Sequence, residues 1–128
     1  MARILIVDDD PDIIEATRMY LENAGYEVTS ASNPADGLRQ IQSGPVDLLV
    51  LDIMMEEFDD GIAMAQDLRK NGFTQPILMM SSISAVTGLP YDANEAVLPV
   101  NAFVQKPVTP SVLVEKVRAL LAQSGEEV

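Results

Sequence analysis

The sequence predicts an α/β fold, an open parallel five-stranded sheet with helices on both faces. Three observations carry that prediction. Short apolar runs alternate with segments of helical period, the pattern of successive βαβ units. Three of those runs, 3–7, 47–51 and 76–80, are almost continuously apolar, as central strands covered on both faces should be. The helical segments have marked ends, three with a cap-and-proline start and three with a glycine stop.

The first strand, 3–7, reads Arg3-Ile4-Leu5-Ile6-Val7 and runs into Asp8-Asp9-Asp10. Asp10-Pro11 then reads as N-cap and first helical residue, where the missing proline N–H costs nothing. The helix that follows sets Ile13, Ile14, Thr17, Leu21 and Ala24 on one face, and Gly25 stops it. A second strand is expected at 27–31. Asn33-Pro34 repeats the cap-then-proline device before Ala35, Leu38 and Ile41, with Gly44 as the stop. The third strand, 47–51, ends on Asp52. A third helix is expected from about Gly61 to Asn71, with Ile62, Ala65 and Leu68 inward and Gly72 ending it. The fourth strand, 76–80, leads into Ser81, and the fifth, 102–105, into Lys106-Pro107. Thr109-Pro110 opens the last helix, whose buried stripe is Leu113, Val117, Leu120 and Leu121. Residues 1–123 read as one domain and 124–128 as a polar, fraying tail.

One connection breaks the pattern. A parallel sheet needs a crossover between Ser81 and Asn101, yet Gly88, Pro90 and Pro99 fall there without a 3.6-residue apolar repeat. An interior proline costs a helix about 3 kcal/mol. The crossover is therefore expected to be mostly irregular, with a single short helical stretch near Asp92 to Ala96.

Composition removes several classes of function. With 128 residues, 48% of them apolar, the chain can bury a proper core and is not disordered. It has no cysteine, hence no disulfide, thiolate metal site or cysteine nucleophile. It has no histidine either, which removes the usual zinc ligand and the commonest general base. A net charge of −12 argues against direct nucleic-acid binding, which needs cationic surface. Most of that charge reads as an ordinary solvated face. No apolar leader or membrane-length run is seen, so a cytoplasmic protein with no membrane association is expected.

Three strands thus deliver Asp8 and Asp9, Asp52, and Lys106 from their C-terminal ends. In the strand order 2-1-3-4-5, the first and third strands meet at the switch point where ligands bind beyond the carboxyl edge. Carboxylates converging there repel, so at neutral pH the site wants a hard cation. Mg²⁺ fits, because it takes one or two carboxylates and otherwise keeps its waters. A Ca²⁺ cage needs more oxygen ligands at loop spacing, and no such loop is seen. Lys106 adds a positive charge and Ser81 a hydroxyl donor. That set suits a transferred phosphoryl group, with Asp52 as the nucleophile that forms an aspartyl-phosphate.

On these residues the chain resembles the receiver domain of response regulators in two-component signalling, over residues 2 to about 122. The matching motifs are Ile4-Leu5-Ile6-Val7-Asp8-Asp9, Leu51-Asp52-Ile53-Met54-Met55, Ser81 after Ile77-Leu78-Met79-Met80, and Phe103-Val104-Gln105-Lys106-Pro107. Each is weak alone; four in order on the right elements are specific. The resemblance implies a flavodoxin-like (βα)5 three-layer sandwich whose fourth crossover helix is short or replaced by a loop. It implies Asp52 as phosphoacceptor, Asp9 and Asp52 as direct Mg²⁺ ligands, Asp8 acting on the metal mainly through water, and the Met54 backbone carbonyl completing the set. Ser81 matches the switch hydroxyl, Lys106 the phosphate-pairing lysine and Phe103 the aromatic switch. A cis Lys106–Pro107 bond is implied as well. So is a function: Mg²⁺-dependent phosphorylation by a histidine kinase or phosphotransfer protein, followed by a changed surface for a downstream protein or output domain. No enzymatic activity beyond self-phosphorylation and slow self-dephosphorylation is implied.

The chain also departs from that family. Receivers usually follow the phosphoacceptor with Met-Pro and a glycine eight residues on; here Glu56 follows Met55 and Gly61 stands nine residues after Asp52. The loop Glu56-Glu57-Phe58-Asp59-Asp60 is one residue longer and carries four acids. Pro99-Val100-Asn101 replaces the common Gly-Ala pair before strand five. The irregular crossover falls where receivers build their dimerisation and output face, which leaves oligomeric state open.

Plainer readings compete at each position. Asp52 alone is a polar strand stop; with Asp8, Asp9 and Lys106 in register it reads as a site. Asp10 reads as a helix cap rather than a metal ligand. Strand-end counting favours Ser81 over the adjacent Ser82. Phe103 fills the core whether or not it moves, and Met54, Met55, Met79 and Met80 read mostly as packing. The acids of 56–60 read as a solvated loop, with contact to the metal or a hydrolytic water as the lesser reading. An aspartate-nucleophile phosphohydrolase would need a second aspartate two residues after Asp52, where Met54 stands. A pseudo-receiver that binds a partner without being phosphorylated is the remaining alternative.

Overall fold

Alternation along the central strands divides the core in two. In a computed structural model that describes residues 2–52, 60–81, 102–105 and 109–123, the elements are β1 (Arg3–Val7), α1 (Pro11–Asn23), β2 (Glu27–Ala31), α2 (Pro34–Ser43), β3 (Leu48–Asp52), α3 (Asp60–Lys70), β4 (Ile77–Ser81), β5 (Ala102–Gln105) and α4 (Pro110–Gln123). All strand pairs are parallel, in the order β2-β1-β3-β4-β5. Leu5, Val7, Leu49, Leu51, Ile77 and Met79 point to one side, where Met64, Ala65 and Leu68 of α3 cover them and Leu38 and Ile41 of α2 join. Ile4, Ile6, Leu48, Val50, Leu78 and Met80 point to the other, against Leu21 of α1 and Leu113, Val117, Leu120 and Leu121 of α4. Both sides of the sheet are filled, which is the flavodoxin-like three-layer sandwich the sequence predicts. Each fully buried Leu or Ile contributes roughly 1.5–3 kcal/mol of transfer free energy.

The helix signals act as expected. The Asp10 carboxylate accepts the Asp12 N–H at 2.9 Å, and Asn33 accepts the Asp36 N–H at 2.8 Å. Thr109 Oγ1 accepts the Val112 N–H at 3.4 Å at the head of α4. Gly25 and Gly72 follow their helices at φ +99° and +94°, where a side chain would be strained. Gly44 ends α2 differently, in extended backbone that any residue can adopt.

Two strands begin one residue later than the pattern suggests. β3 spans 48–52 instead of 47–51, and β4 spans 77–81 instead of 76–80. Pro76 has no N–H for the ladder and offers only its carbonyl, which accepts from the Leu49 N–H at 3.0 Å. Asp47 spends its side chain on the Arg3 N–H at 2.8 Å, just ahead of the strand. Helix α3 starts one residue early, at Asp60 rather than Gly61. The expected helical stretch near 92–96, the cis Lys106–Pro107 bond and the 124–128 tail lie outside the described residues. No helix among the described residues is long and apolar enough to cross a membrane.

Candidate functional site

Strand ends assemble the site. Ile4 to Val7 of β1 pair with Leu48 to Leu51 of β3, so the next residues, Asp8 and Asp52, emerge side by side at the carboxyl edge. The carboxylates of Asp8, Asp9 and Asp52 each place an oxygen within 4.8 Å of the other two. Asp8 is 0% and Asp52 4% exposed, whereas Asp9 is open to solvent. Two buried carboxylates and an exposed third therefore share one small volume.

That crowding has an electrostatic cost. Like charges at this separation repel by on the order of 3 kcal/mol per charged pair at an effective dielectric constant of about 20. A cation with hard oxygen preference removes the cost. The donor set is all carboxylate oxygen, without sulfur or nitrogen, and it fits Mg²⁺, which needs few protein ligands because it keeps water. Asp8, Asp9 and Asp52 are the described residues that could hold such an ion.

The acids are held by the backbone around them. The Asp8 N–H donates to the Ala31 carbonyl at 3.1 Å, continuing the β1–β2 ladder one step past the strand. One Asp8 carboxylate oxygen, Oδ1, accepts the Asp10 N–H at 3.0 Å. Sequence reading missed both contacts. The Asp-x-Asp spacing of 8 and 10 was the available signal, because an Asp side chain often closes a turn onto the N–H two residues on. Asp10 itself is exposed, serves as the α1 cap and is not one of the three converging acids.

Other expected site residues stand at different levels of description. Ser81 is the last residue of β4, one step beyond Met80, which lies opposite Asp52 in the register. Phe103 lies in β5 opposite Met79, and Gln105, the residue before Lys106, lies opposite Ser81. The strand ends that carry Asp52, Ser81 and Gln105 thus adjoin along one edge. The side chains of Ser81 and Phe103, and all of Met54, Lys106 and the 56–59 loop, lie outside what is described. Two clefts elsewhere, of about 580 Å³ beside Ser30, Arg39 and Gln40 and about 540 Å³ beside Leu38, Ile41 and Phe73, include none of the three acids.

Comparison with known proteins bears on this geometry. The sequence matches the family described as the response regulator receiver domain over residues 4–118. It is similar to the alkaline phosphatase synthesis transcriptional regulatory protein PhoP of Bacillus subtilis, 32% identical over 126 residues that cover 95% of this chain and 49% of that protein. It is also similar to the response regulator MprA of Mycobacterium avium, 34% identical over 129 residues, covering 98% of this chain and 53% of that one. The chain spans about half the length of these curated relatives. Among solved structures, a CheY-like response regulator receiver domain protein from Methanospirillum hungatei superposes with a TM-score of 0.84 at 29% identity, covering 96% of this chain and 95% of that one. The response regulator TrrA of Thermotoga maritima, solved in complex with Mg²⁺–BeF, gives a TM-score of 0.80 at 33% identity, covering 94% of this chain and 100% of that one.

Proposed function

The chain belongs to the response regulator receiver domain family, and on that premise we propose that it is a phosphoacceptor switch working through Asp52. The convergence of the Asp8, Asp9 and Asp52 carboxylates at the carboxyl edge carries the reading. A histidine kinase or phosphotransfer protein is the donor. An Asp52 carboxylate oxygen attacks the phosphorus of its phosphohistidine. The P–O bond forms as the P–N bond breaks, and the leaving imidazole keeps the electron pair and takes up a proton.

Asp8, Asp9 and Asp52 would hold Mg²⁺, with the Met54 carbonyl as a further ligand. When bound, the ion neutralises the carboxylates and the phosphoryl oxygens. The Mg²⁺ in the T. maritima relative supports this assignment. Ser81 and Lys106 are proposed as the hydroxyl and the cation that meet the phosphoryl group, and the adjoining ends of β3, β4 and β5 support it. Phosphorylation adds about −1.5 to −2 charge at this edge, so Ser81, Lys106 and the Phe103 ring are the groups expected to respond. The output is a changed surface for a protein partner or an attached output domain, as the regulatory relatives of about twice the length suggest. The role is regulatory and not that of a turnover enzyme.

Intact mass after incubation with acetyl phosphate, with and without Mg²⁺, tests the reading on the wild type and Asp52→Asn. A single Mg²⁺-dependent phosphate adduct, absent from the variant, is expected. No adduct despite measurable Mg²⁺ binding would overturn it, and the chain would be a phosphorylation-independent binding module.

A further inference from the structure

We infer that Asp10 is a positioning residue for the Asp8 carboxylate and thereby sets cation affinity without touching the cation. This rests on the Mg²⁺ reading above. The Asp10 peptide is held on every side. Its N–H donates to Asp8 Oδ1 at 3.0 Å, its carbonyl accepts the Ile14 N–H at 3.0 Å, and its own Oδ1 accepts the Asp12 N–H at 2.9 Å. Pro11 adds a steric limit, because the residue before a proline is excluded from helical backbone. Asp10 accordingly sits at φ −98°, ψ 110°.

Two side-chain-to-backbone turns therefore run in series. Asp8 closes onto the Asp10 N–H, and Asp10 closes onto the Asp12 N–H. The second turn fixes the peptide whose N–H fixes the first. Asp8 is fully buried with its own N–H on Ala31, and the Asp10 N–H is one of the groups that fix where its carboxylate points. The Asp10 carboxylate stands outside the converging acids, so its effect on a bound ion passes through Asp8. Asn33 provides the internal control. It too caps a helix before a proline, accepting the N–H three residues on, that of Asp36, at 2.8 Å, but its side-chain contacts lead to Asp36 and not to the site.

The test is Mg²⁺ titration of the whole chain, followed by NMR amide shifts, for the wild type, Asp10→Asn, Asp10→Ala and Asn33→Ala. Metal-free hydrogen exchange at the residue-10 amide is read alongside. Asp10→Asn keeps the accepting oxygen and drops the charge; Asp10→Ala drops both. Alanine at 10 is expected to raise the Mg²⁺ Kd about 10-fold and to speed exchange at its own amide, while Asp10→Asn and Asn33→Ala stay within about twofold of wild type. Should Asp10→Ala fail to fold, Asp10→Gly repeats the test, since glycine frees the backbone at little cost to the cap. Asp10→Ala with wild-type affinity would overturn the inference and leave Asp10 a helix cap. Asp10→Asn as weak as Asp10→Ala would overturn it too, by making charge the cause. A wild type that binds no Mg²⁺ would instead remove the metal reading on which the inference stands.

Discussion

The two edges of one sheet treat charge in opposite ways. At the amino edge, Asp47 accepts the Arg3 N–H at 2.8 Å and Arg3 Nε lies 3.3 Å from Glu27 across β1 and β2. Arg69 at the end of α3 donates to the carbonyls of Phe73 and Gln75, both at 2.8 Å, just before β4 begins. Each of these charged side chains meets an opposite charge or a backbone dipole of opposite sign. At the carboxyl edge three like charges gather, two of them buried. The first arrangement ties chain segments together; the second brings like charges together, a repulsion that a bound cation would relieve. A fold keeps such an edge for what it binds.

The strongest way to test that contrast is to supply the cation. At a Mg²⁺ concentration about 100 times Kd, the stability of the wild type should rise by about 2.7 kcal/mol. Urea denaturation with and without the ion reads this directly, and Asp9→Ala should lose most of the gain. An unchanged midpoint in the wild type would erase the difference between the edges.

Next in size is Arg69. Replacing it with Met removes the donor to two loop carbonyls and a cation 5.8 Å from the centre of the Phe73 ring, at a cost of about 1–3 kcal/mol. Burial lowers the Arg69 guanidinium from its ordinary value, yet an arginine stays charged at any physiological pH. The loss in urea midpoint should therefore stay flat across neutral pH. A loss that grew or shrank there would assign the effect to other groups.

Asp52→Asn probes the acid edge without metal. Removing Asp52 relieves two repulsive pairs but also gives up the contacts its carboxylate makes within the protein, so the metal-free protein should be stabilised by a net amount on the order of 1 kcal/mol, measured by urea denaturation in chelator. Destabilisation would mean that the acids are matched as firmly as those of the amino edge.

The same contrast separates what could be read in the sequence from what could not. Continuous apolar runs ending on acids gave away β1, β3 and the convergence of Asp8, Asp9 and Asp52, because strand pairing turns sequence ends into neighbours. The caps at Asp10 and Asn33 were legible for a local reason: the accepting side chain and its N–H are two or three residues apart. Long-range contacts were not. Gly37 carries no turn and no positive φ, yet a Cβ there would meet Val7 Cγ2 at 2.9 Å and Met64 Cε at 3.0 Å, so α2 can seat on β1 only where that atom is missing. The one-residue starts of β3 and β4 were hidden in the same way. Pro76 has no N–H to give the ladder, and Asp47 bonds Arg3 through both its N–H and its carboxylate, so only the partner strand reveals where regular pairing begins.

The smallest effect belongs to Arg3 and Glu27, and it sharpens the comparison most cheaply. Their side chains are 49% and 47% exposed, so water already solvates both charges and the ordering of two long side chains offsets much of the attraction. A double-mutant cycle with Arg3→Ala and Glu27→Ala should give a coupling of about 0.2–0.5 kcal/mol, falling towards zero at about 1 M salt, where the Debye length is about 3 Å. The carboxyl edge predicts the opposite salt response. Salt there screens the repulsion felt by exposed Asp9 more than that between buried Asp8 and Asp52, so metal-free wild type should gain a little stability as the amino-edge pair loses its coupling. A pair whose coupling survives high salt would show that the amino edge is held by geometry more than by charge. The two edges would then differ in rigidity and not in the sign of their electrostatics.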